Sequence, residues 1–195
     1  MLLIGGSSGV GKTVVAQELA KYLSLPLLLV DDIRLALQQV TSNETNPDLH
    51  VFLKYQNDQW RNSESIFADW VTLGKAMVSP LQAIISHHIV VPDVGSIIME
   101  GDSILPTASS QFSETREVCT VFVIEENEAQ VLHNLQSRGR GFSDLDELEQ
   151  KGFAHSSWLY GQWLTEEAKR LELSVINAQP HETILERLLS VAGAP

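Results

Sequence analysis

Between an apolar opening, Met1-Leu2-Leu3-Ile4, and a lysine that begins a helical periodicity, the chain places Gly5, Gly6, Ser7, Ser8, Gly9, Val10 and Gly11. A run in which all but Val10 are glycine or serine cannot pack a core and prefers no single backbone shape, so it must be a loop. With a strand before it and a helix after it, the loop defines a strand–loop–helix unit of the kind that builds parallel α/β sheets.

Gly6, Gly11, Lys12 and Thr13 fill every fixed position of G-x-x-x-x-G-K-[ST]. Side chains in such a loop must be small, because backbone N–H groups converge there on phosphate oxygens. The following helix points its free N–H groups and positive dipole end at the same anion. Gly6, Ser7, Ser8, Gly9, Val10, Gly11, Lys12 and Thr13 are therefore the expected cradle of a nucleoside triphosphate. Lys12 is expected to reach the β- and γ-phosphates and the Thr13 hydroxyl to ligate Mg²⁺. The plain alternative is a glycine-rich turn between a strand and a helix.

Four more apolar runs follow: 26–30, 96–100, 118–124 and 173–177. Each is continuously apolar rather than alternating, as strands buried on both faces of a parallel sheet read. Segments of helical period lie between them. Val14, Val15, Leu19 and Leu23 mark one, and Ile33, Leu37 and Val40 the next. Ile66, Trp70, Leu73 and Met77 mark a third, expected to break or kink near Pro80 and to resume at Leu81, Ile84 and Ile85. Ala129, Leu132 and Leu135 mark another, behind Glu125, Glu126 and Glu128. Leu159, Trp163, Ala168 and Leu171, then Ile184, Leu188 and Leu189, complete the set. The polar, poorly periodic stretch 41–62 reads as a mobile flap.

The 195 residues carry a formal net charge of −12, which argues against an extended nucleic-acid partner, because that needs a basic face. A small anionic ligand remains compatible, since a few cations and N–H groups dominate locally. The lone Cys119, in an apolar run, reads as an inert buried thiol in a reducing compartment. No window of about eighteen residues is both uncharged and apolar, so no membrane partner and a cytoplasmic location are expected.

Three further signals stand at the ends of the apolar runs, where ligands of open α/β sheets bind. Val30-Asp31-Asp32-Ile33-Arg34 ends the second. A carboxylate there can accept the proton of an attacking hydroxyl or help hold Mg²⁺, and Arg34 can grip an anionic acceptor. Either Asp31 or Asp32 could be the base; the alternative is that Asp32 caps a helix and Arg34 is solvated. Glu100-Gly101-Asp102 ends the third. Glu100 or Asp102 could serve the metal or the acceptor, or simply form an acidic turn. Ser137-Arg138-Gly139-Arg140-Gly141 follows the fourth and its helix. Its arginines suit a lid that brings positive charge to a transferring phosphoryl, against the alternative of a solvated basic helix end.

Taken in this order, these elements resemble the small-molecule kinases of the P-loop class, with the nucleoside-monophosphate-kinase-like fold of adenylate, shikimate and gluconate kinases. The pattern is also similar to 2-phosphoglycerate-kinase-like proteins, in which GGSSGVGKS, T-D-x-I-R and I-I-E-G recur. The resemblance spans most of the chain in outline, and its specific pieces are short. It implies that Asp31 contacts the acceptor or acts as base and that Arg34 binds the acceptor. It also implies that Arg138 and Arg140 form the lid and that Asn177, Ala178, Gln179 and Pro180 lie beside the adenine. The acceptor region holds few cations, Lys54, Arg61 and Lys75, with His50, His87 and His88, where a doubly phosphorylated or nucleotide acceptor would want more. Trp60 and Trp70 flank that region.

The expectation is one three-layer α/β/α domain over 1–195, with a five-stranded parallel sheet, a helical acceptor flap at about 41–92 and a short lid at about 138–145. The expected reaction is transfer of the γ-phosphoryl of MgATP to a small-molecule acceptor. Lys12, Asp31, Arg138 and Arg140 are the expected catalytic groups, Asp31, Arg34 and Glu100 the acceptor groups, and Thr13 and Glu100 the metal ligands. The competing reading from another class is an ATP-binding switch without an acceptor, which needs the loop but not Asp31, Arg34 or the lid.

Overall fold

A computed structural model describes residues 1–53, 62–112, 115, 117–139 and 141–193. Lys54, Trp60, Arg61 and Arg140 lie outside the described residues. Five strands form the sheet: β1 (Leu2–Gly5), β2 (Leu27–Leu29), β3 (Ile98–Glu100), β4 (Cys119–Ile124) and β5 (Ser174–Asn177). Their order is β2-β3-β1-β4-β5, and every pairing is parallel.

Strand side chains alternate between two apolar cores, which explains why the runs read as unbroken. Leu2, Ile4, Ile98, Val121 and Val123 join one core, with Val15 and Leu19 of α1 (Lys12–Leu23) and Leu188 of α7 (Ile184–Ala192). Leu3, Met99, Phe122 and Ile124 point to the other. That face is covered by α3 (Ser63–Val90) and α6 (Glu147–Arg170), through Trp70, Met77, Leu81, Ile85, Tyr160 and Leu164. The remaining helices are α2 (Val30–Val40), the short α4 (Pro106–Ser109) and α5 (Glu128–Arg138), which packs on α6. None of the described helices is long and apolar enough to cross a membrane.

The structure departs from the expected pattern at several points. Helix α3 does not break at Pro80 but continues past it as one helix of 28 residues. Proline costs one hydrogen bond, while Met77, Leu81 and Ile85 are each fully buried on either side of it. Packing outweighs the local penalty. The segment 41–92 accordingly divides, because 63–90 is a core helix. Before it, residues 47–50 form a 3-10 turn whose Leu49 and His50 are buried. Helix α6 begins at Glu147, well before the apolar stripe at Leu159. It is opened by a capping box in which Glu149 N–H donates to Asp146 and the Glu149 carboxylate accepts from Asp146 N–H. Val14, read as part of the apolar stripe of α1, is exposed; Val15, Ala16 and Leu19 are buried.

Candidate functional site

From β1 the chain passes to one side of the sheet, to β2, and from β3 it crosses back to β4 on the other. The loop after β1 thus sits where the connections diverge, the place an open α/β sheet offers a ligand. Close packing dictates the loop's composition. A Cβ on Gly6 (φ +142°) would lie 2.2 Å from the Val123 carbonyl oxygen, and one on Gly9 (φ +82°) 2.9 Å from Leu135 Cγ. Gly11 begins α1 without a side-chain cap. The N–H groups of Gly11, Lys12 and Thr13 make no hydrogen bond with the described residues. They form an open positive helix end, ready for an anion.

The loop borders a cleft of about 380 Å³ lined by Gly9, Gly11, Lys12, Thr13, Asp31, Glu100, Asp102 and Arg138, among others. Lys12 is buried within it. Its ammonium donates to Asp102 Oδ1 at 2.5 Å and to the Ser7 carbonyl at 2.7 Å, and lies 4.0 Å from Glu100 Oε1. Glu100 ends β3 and is nearly inaccessible. Burial pushes its carboxyl above the ordinary range. Lys12 pulls it down, Asp102 pushes it further up, and the neighbouring Thr13 hydroxyl pulls it down. A hydroxyl and a carboxylate meeting at the first turn of the loop's helix fit a hard cation such as Mg²⁺. That ion uses few protein oxygens and completes its shell with water and phosphate. The described residues contain no group of three or more His, Cys, Asp and Glu that could cage a metal without a substrate.

Asp31 and Asp32 stand in the first turn of α2, because β2 ends at Leu29 and Val30 already has helical geometry. Leu29 occupies the N-cap, so Asp32 does not cap the helix. Asp31 reaches the cleft. Arg34 is not among the cleft-lining residues; its Nε and Nη2 donate to Asp31 Oδ1 at 3.4 and 3.3 Å, and its Nη1 to Gln38 Oε1 at 3.2 Å. Both contacts fall on Oδ1 and leave Oδ2 to face other partners. Arg138 ends α5 and donates to Ser8 Oγ at 3.1 Å, which brings it to the glycine loop. The segment after α5 turns at Gly139 and Gly141, both at positive φ, and buries Phe142 against Phe153 of α6.

Several site residues carry no motif. Ser157 of α6 donates to the Ser8 carbonyl at 2.7 Å, and Tyr160 to the Asp102 carbonyl at 2.8 Å. Gly161 lets α6 approach Ser7, whose Oγ would sit 3.2 Å from a Cβ there. Asn134 of α5 donates to the Gly9 carbonyl at 2.8 Å. His181, one residue beyond the expected 177–180 loop, lines the cleft near Gly11. Small and hydroxyl residues spaced along α6, at Ser157 and Gly161, are the one pattern that marked a close approach.

No family model matches the chain. It is 26% identical over 204 residues to a 2-phosphoglycerate kinase of Methanocaldococcus jannaschii, an alignment covering 94% of this chain and 60% of that protein. The chain thus spans about three fifths of the length of that curated relative. A deoxyadenosine kinase from M. mycoides superposes with a TM-score of 0.53 at 13% identity, covering 97% of each chain. A shikimate kinase from Acinetobacter baumannii, solved with shikimate, superposes with a TM-score of 0.52 at 15% identity, covering 97% of this chain and 92% of that one. The fold is that of the P-loop small-molecule kinases.

Proposed function

We propose that this chain, which has the fold of the P-loop small-molecule kinases, moves the γ-phosphoryl group of ATP to a hydroxyl of a small acceptor. One observation carries the reading. The glycine loop and the acidic residues that follow β2 and β3 open into the same cleft. A phosphate tail on the loop then meets whatever the acidic side holds.

In this reading the acceptor oxygen attacks the γ-phosphorus, the bond to the β–γ bridging oxygen breaks, and ADP leaves. Asp31 takes the acceptor proton. The loop N–H groups and Lys12 hold the phosphates, and Arg138 meets charge developing on the transferring group. Arg140, with Arg138, belongs to the proposed lid. Thr13 and Glu100 would hold Mg²⁺, which neutralises charge on the phosphate oxygens when bound. Such catalysis is mostly positioning and electrostatics, and removing one well-placed donor typically costs about 10²–10³ in rate.

The cleft also bears on the acceptor. Among the described lining residues, Lys12 and Arg138 are the lysine and arginine, and both touch the glycine loop. Leu29, Asp31, Glu100, Gly101 and Asp102 line the side at the ends of β2 and β3. This favours a hydroxylated acceptor of low negative charge. The 2-phosphoglycerate named for the curated relative is the strongly anionic member of the test set. The test is ADP release with MgATP and a panel of sugars, sugar acids, hydroxy acids, nucleosides and 2-phosphoglycerate. Acceptor-stimulated release that is lost in Asp31→Asn while ATP binding persists is the expected result. Binding without stimulation by any acceptor, unchanged in that variant, would instead establish a nucleotide switch.

A further inference from the structure

Lys12 lies inside the protein, 5% exposed, and an ammonium at that depth needs an anion beside it. Left unpaired it would be strongly destabilising. The anion it contacts is Asp102; Glu100 is at the limit of ion pairing. With the Ser7 carbonyl as its other partner, the ammonium is folded back onto the protein itself.

Asp102 is held in place from several sides. Gly101 N–H donates to the Ile4 carbonyl at 3.2 Å, which ties the turn to the end of β1. A Cβ on Gly101 would lie 2.6 Å from Val30 Cβ, so the turn is pressed against the start of α2. Ile104 and Leu105, just beyond, are buried. The Asp102 carbonyl accepts the hydroxyl of Tyr160. Tyr160 is completely buried and stacked between Trp70 and Trp163, with ring centroids 5.7 and 5.8 Å away. Its hydroxyl has no other described partner, so this bond is what the phenol contributes beyond packing.

We propose that Asp102 is the resting counter-ion of Lys12, surrendering the ammonium when a nucleotide phosphate arrives, and that Tyr160 is the positioning residue that fixes Asp102 for this exchange. The proposal rests on the reading that the glycine loop binds nucleoside polyphosphates. No covalent bond changes; the ammonium trades one anion for another. The trade leaves Asp102 and Glu100 close together, without their lysine and beside incoming phosphates. A divalent cation compensates all of these at once. Nucleotide and Mg²⁺ therefore favour each other's binding, and the coupling is reciprocal. A neutral residue at position 102 removes one of the two carboxylates and frees Lys12 in advance.

Isothermal titration of the full chain with ADP, in Mg²⁺ and separately in EDTA, tests this. Asp102→Asn is expected to bind ADP in EDTA about tenfold more tightly than wild type, and to gain correspondingly less affinity from Mg²⁺. Asp102→Ser, which also removes the charge, is expected to do the same. Tyr160→Phe is expected to move in the same direction by roughly two- to threefold, and to add nothing in the Asp102→Asn background. That loss of additivity separates a positioning role from a merely structural one, and thermal melts confirm that the variants fold. Unchanged or weaker ADP binding by Asp102→Asn in EDTA would overturn the proposal, leaving Asp102 at most a metal-holding group. Additive effects of the two substitutions would remove Tyr160 from it. Wild-type protein that binds no ADP in either condition would bring down the nucleotide reading as well.

Discussion

Glu100 holds a proton more tightly in the folded protein than in the unfolded chain, because burial disfavours its charged form. The sign of the linkage follows. Its contribution to stability is full below the ordinary value of 4.5 and is lost as pH rises through the higher folded value. Glu100→Gln is therefore expected to raise Tm at pH 7.5 by roughly 2–4 °C, a gain that shrinks as pH falls toward 4. Calorimetric melts across that range check it, and a Tm lowered at pH 7.5 would contradict it. Lys12→Ala should act oppositely at neutral pH, because it strands Asp102 and Glu100 without a cation. It should lower Tm and cut phosphoryl transfer by about 10³, measured as ADP release. At this scale the motif residues were legible, since glycines, lysine and threonine at fixed spacing have few other uses. The engagement of Arg34 by Asp31 and Gln38 was not, because spacing on a helix does not say which way a long side chain turns.

Helix α6 braces the site from behind, and it is the element whose sequence said least about that work. Its first half packs Ala154 against α5 and Phe142, and Phe153 against both Phe142 and Trp70 of α3, so no single apolar stripe runs along it. The alternation of apolar runs with helical segments located all five strands to within about two residues, since the central strands are buried on both faces and the edge strands β2 and β5 are partly covered on both. It could not show that α2 begins at Val30, because that boundary is set by where β2 stops pairing with β3. Ser157→Ala is expected to cost about 1–2 kcal/mol in urea unfolding, since the buried Ser8 carbonyl loses its donor, and to weaken ATP binding along with stability. Gly74→Ala tests the opposite face of the core. Its Cβ would lie 2.6 Å from Leu105 Cδ2. Overpacking there should exceed the helix-propensity gain of up to about 1 kcal/mol and leave a net loss of about 1–2 kcal/mol by the same measurement.

Across the whole molecule, the sheet order gathers residues that are far apart in sequence. Loop residues near position 10, the start of α2, the end of β3 and the end of α5 meet over the carboxyl edge of the sheet. The sequence implied this meeting through the rule that ligands bind at strand ends, and the cleft supplies the geometry. What no local pattern carries is the far side of the cleft, and hence the acceptor, because its shape is set by tertiary packing and not by any one segment. The most direct measurement is a single-turnover reaction of MgATP with a mixture of small hydroxylated compounds, followed by ³¹P NMR. The account predicts one new phosphate ester in amount equal to the ADP formed, and none with Asp31→Asn. ATP bound and recovered intact, or ADP matched only by inorganic phosphate, would contradict it.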